Sequence, residues 1–288
     1  MNTKVYYLDK LLYKIENICP DVKAKAYSNA LLKFSIHKGT SPSKLYKFKN
    51  IDKRTINIIK DAEFYFSSPL NFNDPFDCNL FYKEEYNPDE IDLAFNRFVK
   101  RNPQMTKEKM IQEVGYDSKK FYDFYSMINN KMIKDSGILS LSKKVNNITM
   151  WSHYADNHKG LAFELDLKKD LDFFSLFGPV DYKDEYDILS YSKDNKEELI
   201  KLFLIKYTDW EYEKEVRIID TDKNGSRKFK KEVLKTIIFG CKTNIKYMKS
   251  IIKLCNKNEF KHVKFKKAKI VPGKFELEFD EIKKEDFF

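Results

Sequence analysis

Glycine is scarce in this chain, at 8 of 288 residues, and neither GxGxxG nor GxxxxGK[ST] occurs. A glycine-rich loop whose backbone N–H groups cradle a phosphate is therefore not expected. Cysteine is equally sparse: Cys19, Cys78, Cys241 and Cys255 stand apart with no CxxC pair, so neither a zinc ribbon nor a disulfide framework is indicated. Buried thiols are the expectation. HExxH is absent, and no GxSxG elbow presents Ser140, Ser142 or Ser152 as a nucleophile. No apolar run is long enough to span a bilayer, and Lys4, Asp9, Lys10, Lys14 and Glu16 break up the apolar core that a signal peptide would need. A cytoplasmic chain with no membrane partner is expected.

Aromatic residues and charge are plentiful. Phe 24 and Tyr 18 bring the aromatic content to 15%, and charged residues make up 34%, the balance of a folded globule with a charged exterior. The net charge of +10 owes much to Lys228, Lys230, Lys231, Lys235, Lys264, Lys266, Lys267 and Lys269. Such an excess permits phosphate contacts with a nucleic acid. Because acids are interleaved with the lysines, it also suits a solvated surface.

The hydrophobic periodicity predicts an α+β fold whose core is a twisted, mixed or mainly antiparallel sheet. Residues 1–40 read as an N-terminal helical cap, and residues 41–288 as the core domain. Strands are expected at Lys44 to Lys49 and Glu63 to Ser67, with a helical turn at Thr55 to Lys60 between them. Asn87-Pro88-Asp89-Glu90 supplies an N-cap, Pro at the first helical position and an acid at the third, opening a helical insertion over about 87–136. Further strands are expected at Ile138 to Ser142, Gly160 to Asp166, from Trp210 onward, Leu234 to Phe239, His262 to Phe265 and Phe275 to Phe279. Helices are expected at Asn195 to Tyr207 and Asn244 to Cys255.

Chemistry concentrates in two segments, Trp151-Ser152-His153-Tyr154-Ala155-Asp156-Asn157-His158-Lys159-Gly160 and Trp210-Glu211-Tyr212-Glu213-Lys214-Glu215-Val216-Arg217. If the second is extended, Glu211, Glu213, Glu215 and Arg217 share one face. Three carboxylates there repel one another unless cations or a ligand compensate. They either face cross-strand lysines on an exposed sheet, or at least one faces a pocket where it stabilises a developing cation. Glu215 is the first choice for the second role and Glu213 the next; Glu215→Gln is expected to abolish activity while leaving the protein folded. His153 and His158 flank Asp156 without a matching ligand cluster, which favours hydrogen bonding over a metal site. In the loop from Ser68 to Asp77, Asn73, Asp74 and Asp77 are expected to close turns on the backbone.

Leu45-Tyr46-Lys47-Phe48, Phe66-Ser67-Ser68-Pro69, Phe72-Asn73-Asp74-Pro75-Phe76-Asp77, Met150 to Ala155 with Gly160, Trp210 to Arg217 and Ile238-Phe239-Gly240 occur in an order that resembles the domain-of-unknown-function 2971 family of bacterial proteins. The resemblance runs from about Lys44 to Phe279. More distantly, the order of an early strand, a helical turn, a second strand, a Trp/Tyr segment and a late strand bearing Glu is similar to that of ADP-ribosyltransferases. This similarity implies NAD as a substrate, with no metal. It also implies an early residue on NAD, here Tyr46 or Lys47 where those enzymes carry His or Arg, an aromatic on the nicotinamide, here Tyr154, and a late Glu, here Glu215. The candidate catalytic residues are thus Glu215, Glu213, Tyr154 and His153, and the candidate cofactor-binding residues Tyr46, Lys47, Trp151, Ser142 and Arg217. Three functions are carried: an NAD-consuming transferase or hydrolase of the toxin or phage-defence type, a nuclease or nucleic-acid-binding effector, and a non-catalytic module sensing a nucleotide or a partner.

Overall fold

In chain order the strands are β1 (Lys44–Lys49), β2 (Glu63–Phe66), β3 (Phe81–Tyr82), β4 (Gly137–Ser142), β5 (Leu161–Asp166), β6 (Phe177–Pro179) and β7 (Asp181–Lys183). They continue as β8 (Ile188–Leu189), β9 (Ile205–Tyr207), β10 (Glu215–Asp220), β11 (Gly225–Lys228), β12 (Leu234–Phe239), β13 (Lys264–Ile270) and β14 (Leu277–Ile282). These come from a computed structural model that describes residues 36–39, 41–79, 81–174, 176–193 and 203–287. Eight strands form the main sheet in the order β14-β13-β12-β5-β1-β4-β10-β6. Only β12 and β13 run parallel within it, joined by the helix Ile245–Lys257 as a crossover. The fold is α+β with a mixed sheet, as the sequence pattern predicts.

Alternation along the strands sorts the sheet into two buried faces. Leu45, Leu139, Leu141, Phe163, Leu165, Val216 and Ile218 pack on one side against Ile58 and Ile59 of the helix Lys53–Asp61 and Ile251 and Ile252 of the crossover helix. Phe48, Ala162, Ile238 and Ala268 pack with Trp151 on the other side. The helical insertion builds a core of its own. Asn87 and Glu90 form a reciprocal capping box, Pro88 opens the helix Pro88–Arg101, and Lys107–Glu113 and Ser118–Asp135 follow. Phe95, Met110 and Phe121 gather there around Tyr191, whose ring stacks on Tyr82 at 3.9 Å between centroids.

The centre of the main sheet is split. β1 pairs with β5 along its whole length but meets β4 only where Tyr46 faces Ser142. At the other end of β4 a bridge from Ser67 takes over, Ser67 N donating to Ile138 O at 2.9 Å and Ile138 N to Ser67 O at 2.8 Å. A gap lined by polar side chains opens between these two attachments.

Several expectations are corrected or displaced. Residues 1–35, most of the expected N-terminal cap, lie outside the described residues, as do residues 195–202 of the helix expected over Asn195 to Tyr207. The end of that segment, Ile205–Tyr207, is instead a strand parallel to β7. No strand begins at Trp210: Thr208–Glu213 is a 3-10 turn, Lys214 follows in the left-handed region at φ 46°, and β10 starts at Glu215. The four-residue ladder therefore does not exist. Glu211 is exposed on a salt bridge to Lys214, whereas the turn carries Glu213 back over Lys206. Period-two spacing cannot tell a strand from a turn plus a strand when the decisive partner, Lys206, belongs to another element.

Candidate functional site

Arg217 is the buried anchor of the gap. Fully excluded from solvent on β10, its guanidinium grips Asp77 with both arms, Nη1 to Oδ1 at 2.8 Å and Nη2 to Oδ2 at 2.6 Å. Nε donates to Glu215 Oε1 at 2.9 Å, and Nη1 also reaches Phe203 O at 2.9 Å. Such fork-to-carboxylate geometry is the strong form of an ion pair, and burial makes each partner depend on the others. Burial works against the charge of Arg217, yet Glu215, the Cys78 sulfur and Asp77 raise its proton affinity further.

A second cation completes the cluster. Lys206 on β9 places Nζ 2.6 Å from Glu213 Oε2, 3.3 Å from Glu215 Oε2 and 3.8 Å from Asp77 Oδ2, and 4.8 Å from the centre of the Trp210 ring. Desolvation alone would lower its proton affinity, but Glu215 and Glu213 outweigh it and the ammonium is held. The two glutamates respond in opposite directions. Burial would raise Glu215, but Arg217 and Lys206 bring it down to about 2, so it stays a carboxylate. Glu213 is raised above the usual range, by burial first and by the neighbouring Glu215, against the pull of Lys206. Its other oxygen, Oε1, accepts a hydrogen bond of 2.5 Å from the Tyr154 hydroxyl, which burial and Glu213 keep protonated.

The gap holds a cavity of about 190 Å³ whose walls include Tyr46, Lys47, Ser140, Ser142, Tyr154, Lys206, Glu213 and Glu215. Tyr46, Ser142 and Glu215 lie in one row across three adjacent strands, since both Tyr46 and Glu215 pair with Ser142. Tyr46 is pushed up to about 12 by burial and by Glu164, its neighbour on β5. Lys47 reaches across the split to donate to Ser140 O at 2.8 Å. Burial, with help from Lys49, lowers it to about 8. Asp77, Glu213 and Glu215 therefore face two firmly held cations, Arg217 and Lys206, and a third, Lys47, that titrates near neutrality.

Not every residue singled out from the sequence reaches the cavity. Ser142 lines it, but its hydroxyl clamps the 3-10 turn by donating to Glu213 O at 2.6 Å. Trp151, on the helix Ile148–Tyr154, is fully buried edge-on to Phe48, its indole N–H donating to Val145 O at 2.7 Å. It packs and does not line the cavity. His153 is exposed and bonds the Tyr212 hydroxyl through Nδ1 at 3.0 Å. His158 bonds Ser152 Oγ at 3.1 Å; it and His153 point to different partners and form no metal pair. Among the described residues no group of three or more His, Cys, Asp or Glu has the arrangement of a metal site.

The remainder of the WSHYADNHKG run is architectural. Asp156, Asn157 and His158 are successive left-handed residues, types that tolerate this conformation better than most. They fold the chain so tightly that Gly160 lies against Lys49 O and Gly240 against His158 O, where a Cβ has no room. Asp74 closes its loop as expected, accepting from Phe76 N at 2.9 Å. Asp77 does not: it is buried on Arg217 and belongs to the cluster. Asp77 and Lys206 are the residues missed from the sequence. The only signal for Asp77 was its place in the motif-bearing loop; Lys206 had none.

No curated protein and no solved structure matches the chain. The resemblance read from the sequence ran from Lys44 to Phe279; the part carried by a family match is shorter and holds Tyr154, Lys206, Glu213, Glu215 and Arg217. Residues 150–218 match the family described as Protein of unknown function (DUF2971).

Proposed function

We propose that this protein consumes NAD at the split between β1 and β4, as an ADP-ribosyltransferase-like enzyme or an NAD hydrolase. The observation that carries the reading is the pair Glu213 and Glu215 on one cavity wall, one raised and one lowered in proton affinity. Environments that push two carboxyls apart divide their work. In this reading the bond between nicotinamide and C1 of its ribose breaks, and its electron pair neutralises the departing pyridinium. Positive charge grows on the ribose. Glu215, pinned as an anion, stabilises that charge. Water or an acceptor group then bonds to C1, and its proton passes to Glu213, whose raised affinity suits a base. The products are nicotinamide, one proton, and ADP-ribose or an ADP-ribosylated acceptor. Tyr154 orients Glu213, and Lys47, while protonated, offsets substrate phosphate charge. A role as a bacterial toxin or phage-defence effector rests on the resemblance in motif order.

The test is direct. Purified protein is incubated with NAD and, separately, with labelled DNA and RNA, and nicotinamide release and nucleic-acid integrity are measured. Nicotinamide release lost in Glu213→Gln supports the reading. Nucleic-acid cleavage without nicotinamide release replaces it with a nuclease, and silence in both assays with a non-catalytic sensing module.

A further inference from the structure

The inner cavity, at about 190 Å³, is smaller than the ~300–1,000 Å³ that encloses a typical small-molecule ligand. A dinucleotide seated there by its reacting end must leave the rest of itself outside. Against the same wall lies a groove of about 500 Å³, and Asn73 and Lys206 line both spaces. Its other walls are Phe76, Tyr186, Tyr207 and Trp210, with Lys183, Asp74, Asp184 and Glu185 among them. Phe76 is 66% exposed and Tyr207 47%, so two large rings face solvent beside a partly exposed indole.

Resting on the NAD reading, we infer that this groove is the seat of the distal nucleoside of the substrate, with the base stacked on the aromatic walls. Aromatic faces bind bases of any sequence through their π surfaces. The charge lining refines the chemistry. Lys183 is paired with Asp187 at 2.6 Å and Lys206 with Glu213 and Glu215, so the carboxylates of Asp74, Asp184 and Glu185 dominate the groove. Carboxylates accept hydrogen bonds from ribose hydroxyls and an exocyclic amine, and repel a phosphate. The groove therefore selects an unphosphorylated ribose: NAD over NADP, whose additional phosphate would sit among three acids.

The experiment has two arms. In the first, AMP is titrated into the intact protein and tryptophan emission is followed. Trp151 is fully buried away from the groove whereas Trp210 lines it, so stacking quenches Trp210. The quench disappears in Trp210→Phe, and Phe76→Ala weakens AMP about tenfold, within the range that loss of one base–aromatic contact covers. In the second, nicotinamide release from NAD exceeds that from NADP by at least about tenfold in kcat/KM, and Asp184→Asn with Glu185→Gln narrows the gap. Phe76, Asp184 and Glu185 are exposed, so these variants fold. AMP that neither quenches emission nor responds to Phe76→Ala, or NADP used as well as NAD, overturns the inference. AMP binding in the groove without nicotinamide release leaves the subsite standing and sinks the proposed reaction; release with no response to Phe76→Ala does the reverse.

Discussion

The Tyr154 hydroxyl donates to Glu213 Oε1 at 2.5 Å across 59 residues of sequence. This bond joins the helix that ends the WSHY segment to the turn that precedes β10, and brings the two chemistry-rich stretches of the chain to one cavity. With Oε2 held by Lys206 at 2.6 Å, both oxygens of Glu213 are engaged and its carboxyl is fixed in orientation.

Glu213→Gln is expected to lower nicotinamide release by ~10²-fold or more, since it removes both the base and one of the three carboxylates on the wall. The protein should remain folded, because the amide oxygen can still accept from Tyr154 or Lys206. Steady-state rates measured beside a circular dichroism melt check both halves.

Glu215→Gln should not separate folding from catalysis as cleanly as the sequence suggested. Glu215 is the partner of a guanidinium with no access to water, and breaking a buried pair costs about 3–5 kcal/mol. A clear fall in Tm, together with lost activity, is expected. The same pair sets a pH dependence. A carboxyl lowered to about 2 in the folded protein stabilises it above the unfolded value, and this contribution is lost as pH falls from about 4.5 through about 2. Glu215→Gln should accordingly show a flatter acid limb in Tm against pH.

Lys47 gives a separate alkaline signature. Its proton is lost around pH 8, so KM for the anionic substrate should rise above that pH while kcat changes less. Lys47→Arg keeps the charge and should shift the rise well upward. For stability the sign is opposite to that of an ordinary ion pair: folding lowers the proton affinity, so stability increases as pH rises from about 8 to about 10.5. An identical KM profile in wild type and Lys47→Arg would remove Lys47 from substrate binding.

Within the loop after β2, two aspartates should behave differently. Asp74→Ala loses a side-chain-to-backbone bond near the surface, about 0.5–1.5 kcal/mol. Asp77→Ala strands Arg217 and should cost about 3–5 kcal/mol. Urea midpoints of the two variants give the comparison, and equal losses would mean that Arg217 finds a replacement partner.

Gly160→Ala and Gly240→Ala should each be severely destabilising, because the new methyl meets the backbone carbonyl of Lys49 or His158 and neither can retreat without breaking the turn. Gly273→Ala is the control: its Cβ meets nothing, although φ 75° carries some strain. A loss in Gly273→Ala as large as in the other two would refute the close-approach explanation.

Local chemistry along the chain determined the elements whose causes are local. The Asn87 to Glu90 cap, the helices of the insertion, β1, β4, β5 and β12 all follow from caps and from alternation over a few residues. The chemistry-rich segments marked Tyr154, Glu213 and Glu215, and the resemblance in motif order pointed to Tyr46 and Lys47; with Ser142 these residues all line one cavity. The tertiary structure alone decided that Asp77 and Lys206 join them, that Trp151 turns inward, and that Thr208–Glu213 is a turn. Asp77 is placed by Arg217, 140 residues away, and Trp151 by Phe48 on another strand, while Lys206 meets Glu213 and Glu215 because the turn folds them back over β9. A buried charge takes its place from where its counter-charge is carried by the sheet, and periodicity within a segment holds no record of that.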